Sequence, residues 1–434
     1  MINAKELNLL NNSDELLQIE TPAAMMLKSF DNSVIAELCS RYYELKSKVH
    51  LSGLTFNERV ELADELITGL KRNEIYHYRR DPSLMSNRVN INLGSNDYLN
   101  FTRNKQVIEA GQKQIEISGA GSGSVPMLAG THQVHLQLEE RIASFTGFEK
   151  AILFNSGFAA NVGVLSALLA SSDIAILDTH VHASIIDGCQ TTNKIYFKHN
   201  DPASLAMQLQ KCASYRNKLV VIEGIYSMDG DIALIDDLIK VAREFQAWIL
   251  VDESHSIGVY GEQGRGLSYR STRPDIITAS MGKAMGGIGG FAAGSSALIS
   301  LLELTSRAFI FSTSIPPASA AALVKAIDIL ESDPTHLRNL WDNINYFKTH
   351  IPIRWLQTQQ TQSAIFPLII NNEEKLLELC RQLYRDGIFV NPVFYPVVPK
   401  KKSRIRISLT AGHDRQQLDG ALEKIAYYSA KLNI

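Results

Sequence analysis

The chain has 434 residues, 45% of them hydrophobic and 20% charged, with a formal net charge of −2. That length gives room for a large buried core and a smaller second one, and the proportions are ordinary for a globular chain. A charge so near neutral offers no basic field for nucleic acid, and no uninterrupted apolar run approaches the ~20 residues of a membrane helix.

Cys39, Cys189, Cys212 and Cys380 lie far apart without paired spacing, which points to a reducing compartment. The opening Met1-Ile-Asn-Ala-Lys-Glu-Leu-Asn has no basic start followed by an apolar stretch, so no signal peptide is expected and the cytoplasm is the expected location. Membrane association is not indicated.

Residues 1–90 read as a polar, helical N-terminal segment. Thr55-Phe-Asn-Glu58 predicts a capping box, and Val60, Ala63, Ile67 and Leu70 then form one apolar face. The segment suits a structural wrap on a dimer better than a docking site for a carrier protein or membrane.

From 91 to 320 apolar strands alternate with helices, which predicts a large domain built on a mostly parallel sheet covered on both faces. Gly119-Ala-Gly-Ser-Gly lacks the last glycine of a dinucleotide fingerprint and reads as a flexible turn. Val134, Leu138, Ile142 and Phe145 predict a helix stopped at Gly147, a C-cap.

The strand Ala151-Ile-Leu-Phe runs into a Ser-Gly turn and a helix, an arrangement whose unpaired amides and positive dipole end bind phosphate. Ser156, Gly157 and Phe158 are the expected contacts. The next strand, Asp173-Ile-Ala-Ile-Leu-Asp, delivers His180 and His182, which share a face if the strand continues that far. Such a pair would suit a metal, but no third ligand cluster is evident, so a flat ring stacked on a planar cofactor is the better use of His182.

Ala247-Trp-Ile-Leu-Val-Asp is a buried-strand pattern ending on Asp252, with His255 three residues on. Asp252 suits either a helix N-cap or an acid paired with a pyridine nitrogen. Farther on, Asp275-Ile-Ile-Thr-Ala-Ser breaks into glycines around Lys283. Alone, a lysine beside glycine is commonly a solvated charge; in the company of Asp252 it is a candidate Schiff-base lysine for pyridoxal phosphate, with Ser280 adding a hydroxyl to the phosphate site. Ala284 after Gly282-Lys283 excludes a P-loop, and Gly224-Ile-Tyr-Ser227 is no hydrolase elbow. The remainder, 321–434, predicts a small C-terminal domain with two long helical patterns around short strands, the last marked by Leu418, Leu422 and Ile425.

Ordered motifs from about Asn92 to the C-terminus resemble the α-oxoamine synthases, fold-type-I pyridoxal phosphate enzymes. They are Gly94-Ser-Asn-Asp-Tyr-Leu, Asn155-Ser-Gly-Phe, His182-Ala-Ser-Ile-Ile-Asp-Gly, Glu223-Gly-Ile-Tyr-Ser-Met-Asp-Gly-Asp, Asp252-Glu-Ser-His, the Lys283 turn, Phe311-Ser-Thr-Ser-Ile-Pro-Pro and Arg404-Ile-Arg-Ile-Ser. The resemblance implies an α/β fold, with a large domain and a smaller C-terminal α+β domain. It implies that Lys283 takes the cofactor aldehyde as a Schiff base, Asp252 pairs with the pyridine nitrogen and His182 stacks on the ring. Ser227 and His255 would bond the phenolic oxygen. Arg406 would bind the substrate carboxylate, with Asn96 also on the substrate side. Ser312 and Thr313 would reach the partner's phosphate across a homodimer with shared sites.

The implied reaction joins glycine, serine or alanine to an acyl thioester, on coenzyme A or a carrier protein, with loss of carbon dioxide. Phe394-Tyr-Pro-Val-Val-Pro-Lys resembles the glycine acetyltransferases, whereas Val390-Asn-Pro and Ser184-Ile-Ile-Asp-Gly-Cys resemble serine palmitoyltransferase. Val397 stands where the biotin-pathway enzymes (8-amino-7-oxononanoate synthases) usually carry threonine. Ser124-Val-Pro126-Met departs from the Ser-x-Arg of many members and leaves the acyl donor open. The alternatives are an aminotransferase or a non-catalytic partner subunit of the same fold; Lys283, Asp252, His182 and Arg406 together argue against the latter.

Overall fold

The computed structural model describes residues 37–38, 53–76, 91–269, 272–352, 361–395 and 397–434. The chain divides into two compact units, Met1–Asn73 and Glu74–Ile434, and much of the expected 1–90 segment lies outside the described residues.

In the first unit a helix spans Phe56–Arg72. Its capping box forms as predicted: the Glu58 amide donates to Thr55 Oγ1 (3.3 Å), and the Thr55 amide donates to Glu58 Oε2 (2.7 Å). The predicted apolar face is misplaced, however. Leu66 and Leu70, four residues apart, are the buried pair, while Val60 is 68% exposed.

The second unit is built on a seven-stranded sheet. Its strands are β2 (Lys150–Phe154), β3 (Ile174–Asp178), β4 (Asn193–Phe197), β5 (Lys218–Glu223), β6 (Trp248–Asp252), β7 (Ile276–Ser280) and β8 (Gly290–Gly294), in the order β2-β8-β7-β6-β5-β3-β4; β1 (Ile91–Asn92) belongs elsewhere. From β4 through β3, β5 and β6 to β7 all pairings are parallel, and β8 runs antiparallel to β7 and β2. β3 and β8 are buried at every position, as a sheet covered on both faces requires. Helix Gly157–Leu168 supplies Ala160, Val164 and Leu165 to a core shared with Leu177, Val221, Leu250 and Ala292. The Gln133–Thr146 helix ends on Gly147 at φ 73°, the predicted left-handed cap.

Farther along, β9 (Ile365–Ile369), β11 (Asn391–Val393) and β12 (Arg404–Ser408) make a three-stranded antiparallel sheet with β12 in the middle. Strand β10 (Ile388–Phe389) pairs in parallel with β1. The Ser408 amide donates to Leu93 O (2.7 Å) and the Ala411 amide to Tyr98 O (2.7 Å), which ties β12 to the 93–98 segment. Among the described residues, no helix is long and apolar enough to cross a membrane.

Candidate active site

Parallel strands present their C-terminal ends along one edge, and in such sheets ligands bind there. On this edge β3 ends at Asp178, β5 at Glu223, β6 at Asp252 and β7 at Ser280. Lys283 follows β7 in a turn held by Gly286 N donating to Lys283 O (2.9 Å) and Met281 N donating to Gly289 O (2.9 Å). Gly286 sits at φ 68°, and a Cβ there would fall 2.8 Å from the Phe101 Cβ.

Lys283 Nζ lies 2.9 Å from His255 Nε2, and His255 Nδ1 lies 2.8 Å from Tyr98 Oη. Burial, reinforced by the charge of Lys283, holds the His255 imidazole far below its ordinary value, so the ring is neutral. With Nε2 accepting from the amine, its proton sits on Nδ1 and is donated to Tyr98. Burial also lowers the Lys283 ammonium below the usual lysine range, against the opposing pull of Asp252 and Glu223.

The chain of polar contacts continues to Arg406 on β12. Its Nη1 donates to Asn96 Oδ1 (3.0 Å) and Ser408 Oγ (2.8 Å), its Nε to Ser227 O (2.6 Å), and its Nη2 approaches Tyr98 Oη at 3.4 Å. Arg406 is buried. All these partners are neutral, so among the described residues the guanidinium is hydrogen-bonded without a carboxylate to compensate its charge.

A second network holds Asp252. Asn161, on the first turns of helix Gly157–Leu168, donates to Asp252 Oδ2 (2.7 Å) and Ser184 Oγ (2.9 Å), and accepts from Thr278 Oγ1 (2.6 Å). Ser184 Oγ in turn donates to His182 Nδ1 (2.8 Å), which also accepts the Ser184 amide (3.2 Å). That leaves the His182 proton on Nε2. Burial keeps this ring below its ordinary value too, so it is neutral. Glu223, from the end of β5, accepts the Ser227 amide on Oε2 (3.1 Å), while its buried Oε1 has no partner among the described residues. Burial and the neighbouring Asp252 push its carboxyl well up.

The strand, Ser-Gly turn and helix start expected around Ser156 form where β2 hands over to the helix at Gly157. The Ser156 hydroxyl caps that helix by accepting the Ala159 amide (3.0 Å), so the Gly157 and Phe158 amides, which have no intrahelical partner by geometry, remain for an anion. Close approach is what these glycines permit. A Cβ on Gly157 would lie 2.6 Å from Ser280 Cβ, and one on Gly290 would lie 2.3 Å from Ser156 O. Ser280 is therefore beside this helix start, as its sequence position suggested.

Two expectations need correction. Strand β3 stops at Asp178, so His180 and His182 do not share a strand face: His182 caps the helix Ala183–Gly188, while His180 lies against His199 with ring centroids 3.9 Å apart and the rings tilted by 32°. No helix follows Asp252; turns do, and its Oδ1 accepts the Ser254 amide (2.9 Å) while Oδ2 stays in the site network. Among the described residues, no hydrogen bond joins Ser312 or Thr313 to the Lys283 network. They line a separate cavity of about 260 Å3 with Asn155, Met127, Glu139 and Phe309. Asn161, Thr278 and the bonding role of Tyr98 were missed from sequence. A buried asparagine on a helix looks like any surface polar residue until the strands behind it are placed.

Residues 88–425 match the family described as aminotransferase class I and II. An 8-amino-7-oxononanoate synthase from Bacillus velezensis is 41% identical over 349 residues, covering 79% of this chain and 89% of that protein. A serine palmitoyltransferase from Sphingobacterium spiritivorum is 37% identical, covering 83% and 93%. The chain belongs to this family, on its α-oxoamine synthase branch. Among solved structures, serine palmitoyltransferase from S. paucimobilis with PLP-linked myriocin superposes with a TM-score of 0.76 at 31% identity, over 79% of this chain and 88% of that one. The fold is fold-type-I α/β, and this α-oxoamine synthase is a pyridoxal-phosphate-dependent acyltransferase.

The residues present fit that cofactor. A capped helix start between close-packed glycines suits the phosphate, a buried carboxylate is fixed for a protonated pyridine, and a poised amine lies beside a neutral histidine.

Proposed function

We propose that this chain condenses a small amino acid, glycine, serine or alanine, with an acyl thioester, releasing carbon dioxide and the free thiol and forming an α-aminoketone. The observation that carries this reading is one continuous polar path from the Lys283 amine through His255 and Tyr98 to the uncompensated Arg406 guanidinium. A substrate with an α-amine and an α-carboxylate matches both ends of that path.

Pyridoxal phosphate, when bound, supplies an electrophilic aldehyde carbon and a ring that withdraws electrons from the substrate Cα. The Gly157 and Phe158 amides, Ser156 and Ser280 would hold its phosphate, Asp252 would keep its pyridine nitrogen protonated, His182 would lie on the ring, and Ser227 and His255 would serve its phenolic oxygen. Arg406, with Asn96 fixing its guanidinium, takes the amino-acid carboxylate as a charge-assisted pair. Lys283, lowered by burial, is partly neutral near neutral pH and accepts the Cα proton, with His255 Nε2 beside it as the acceptor of its own hydrogen bond. The Cα electron pair then attacks the acyl carbonyl and the thiolate leaves, to be protonated by solvent; the carboxylate departs as carbon dioxide, its bonding pair stays on Cα, and Lys283 returns its proton there to complete the α-aminoketone.

The chain is read as a homodimer in which Ser312 and Thr313 face the partner's site. The apolar exposure of Met127, Leu128 and Phe311 around that segment supports this. Light scattering on the loaded enzyme is the check, with a monomer as the refuting result. For the chemistry, purified enzyme is incubated with each amino acid against a ladder of acyl thioesters, and product masses and carbon dioxide are measured. Carbon dioxide released only when thioester is present supports the condensation; amino-group transfer to a keto acid without it would establish an aminotransferase instead.

A further inference from the structure

Between β5 and the helix Ile235–Glu244 the chain folds back in a tight turn from Ile225 to Ile232. The turn is closed by an Ile225–Ile232 bridge, by Tyr226 N donating to Asp231 O (3.0 Å) and by Gly230 N donating to Tyr226 O (2.8 Å). Both β12 arginines reach it. Arg404 and Arg406 are two apart on a strand, so their side chains leave the same face. Arg406 Nε meets Ser227 O, while Arg404 Nη1 donates to Met228 O (3.0 Å) and to Asp229 Oδ1 (2.7 Å). Lys402 O accepts Arg404 Nε (3.0 Å), so the Arg404 side chain is also anchored to the segment that leads into β12.

The far end of the turn is fixed by a different charge group. His199 Nε2 pairs with Asp231 Oδ2 (2.9 Å) and His199 Nδ1 with Asp178 Oδ1 (3.0 Å), and Tyr226 Oη donates to Asp178 Oδ2 (2.7 Å). Gly230, at φ +73°, lets β9 come so near that a Cβ would lie 2.4 Å from Ile365 O. One turn is thus clamped to β3 by His199 and to β12 by Arg404, with the Arg406 contact between the clamps.

We propose that Asp229 and Arg404 are positioning residues for amino-acid recognition. Their ion pair sets the register between the turn and β12, and thereby the place of the Arg406 guanidinium that receives the substrate carboxylate. The inference rests on the carboxylate role given to Arg406 above. Arg404 is nearly fully buried whereas Asp229 is about 30% exposed on its side chain, and apolar packing would join two segments at least as stably as a buried arginine paired in this way. What the pair adds is direction: a fixed fork two residues from Arg406, whose bond to a carboxylate depends on how its planar guanidinium is aimed.

The test uses the full chain loaded with pyridoxal phosphate, in Asp229→Ala, Asp229→Glu, Arg404→Lys and Arg406→Ala variants. Amino-acid dissociation constants are read from the change in cofactor absorbance on titration, beside kcat, cofactor affinity and melting temperature. Asp229→Ala and Arg404→Lys are expected to weaken amino-acid binding roughly fivefold to twentyfold, with kcat within about twofold and cofactor affinity unchanged, and Asp229→Glu to recover most of the loss. Because Asp229 is partly exposed, its variants fold even if Arg404→Lys does not. Unchanged amino-acid affinity in Asp229→Ala overturns the proposal, as does a parallel loss of amino-acid affinity, kcat and cofactor affinity, which marks a merely structural pair. If Arg406→Ala weakens binding and Asp229→Ala does not, only the positioning role fails; if Arg406→Ala itself changes nothing, the carboxylate role fails with it.

Discussion

At the scale of single residues the site depends on two buried cations whose charges are handled in opposite ways. Lys283 is pushed toward neutrality by burial, whereas Arg406 cannot lose its proton and waits for an anion. Arg406→Ala should leave cofactor titration intact and weaken amino-acid binding by ~1.5–3 kcal/mol, a factor of roughly ten to one hundred and fifty. Equilibrium titration of the loaded variant measures this directly. For Lys283, acetylation in the cofactor-free protein should have a midpoint below that of surface lysines. Asp252→Asn should move the midpoint lower still, because Asp252 favours the charged ammonium and its removal takes that support away. Peptide mass mapping across a pH series reads both effects, and a midpoint that rises in the variant would contradict the electrostatics.

At the scale of elements, the decisive joint is where helix Gly157–Leu168 meets β7 and β8. Gly157→Ala places a methyl within 2.6 Å of Ser280 Cβ and against the β7 backbone, so the helix start must retreat from the phosphate position; cofactor affinity measured by absorbance titration and the melting temperature of the cofactor-free chain should both fall. The helix start, the Gly147 cap and the Thr55 capping box were legible in sequence because each is a local pattern with a local cause. Asn161 was not. Its role depends on Asp252 and Thr278, 91 and 117 residues away, meeting the same helix face. The same limit misplaced the apolar stripe at Val60 and let the β3 pattern seem to run on to His182: periodicity says where a face lies, and only the neighbours decide where an element stops.

Across the whole molecule, the site residues named from sequence divide by distance. Lys283, Asp252, His182, His255, Ser227, Asn96 and Arg406 fall into linked networks although they span more than three hundred positions, because glycine turns and strand ends advertise a sheet edge. The acyl-binding surface had no comparable signature, since it depends on side chains that no short motif collects. The sheet edge also carries a pH signature through His199. Burial opposes its charge, but Asp178 and Asp231 outweigh that and raise it to about 10. A folded value above the unfolded ~6.5 means the contribution is complete below about pH 6.5 and is lost as pH rises toward about 10. Urea unfolding of parent and His199→Gln should therefore differ most near about pH 6 and converge near about pH 10. A gap that widens on the alkaline side would reverse this assignment.

Gly230 has a practical consequence for anyone redesigning substrate choice. With a left-handed backbone and no room before the Ile365 carbonyl, a combinatorial library randomised across Ile225–Ile232 will return glycine at this site before any preference for a new amino acid is sampled. Screening effort belongs instead at neighbours whose replacement leaves the spacing to β9 untouched.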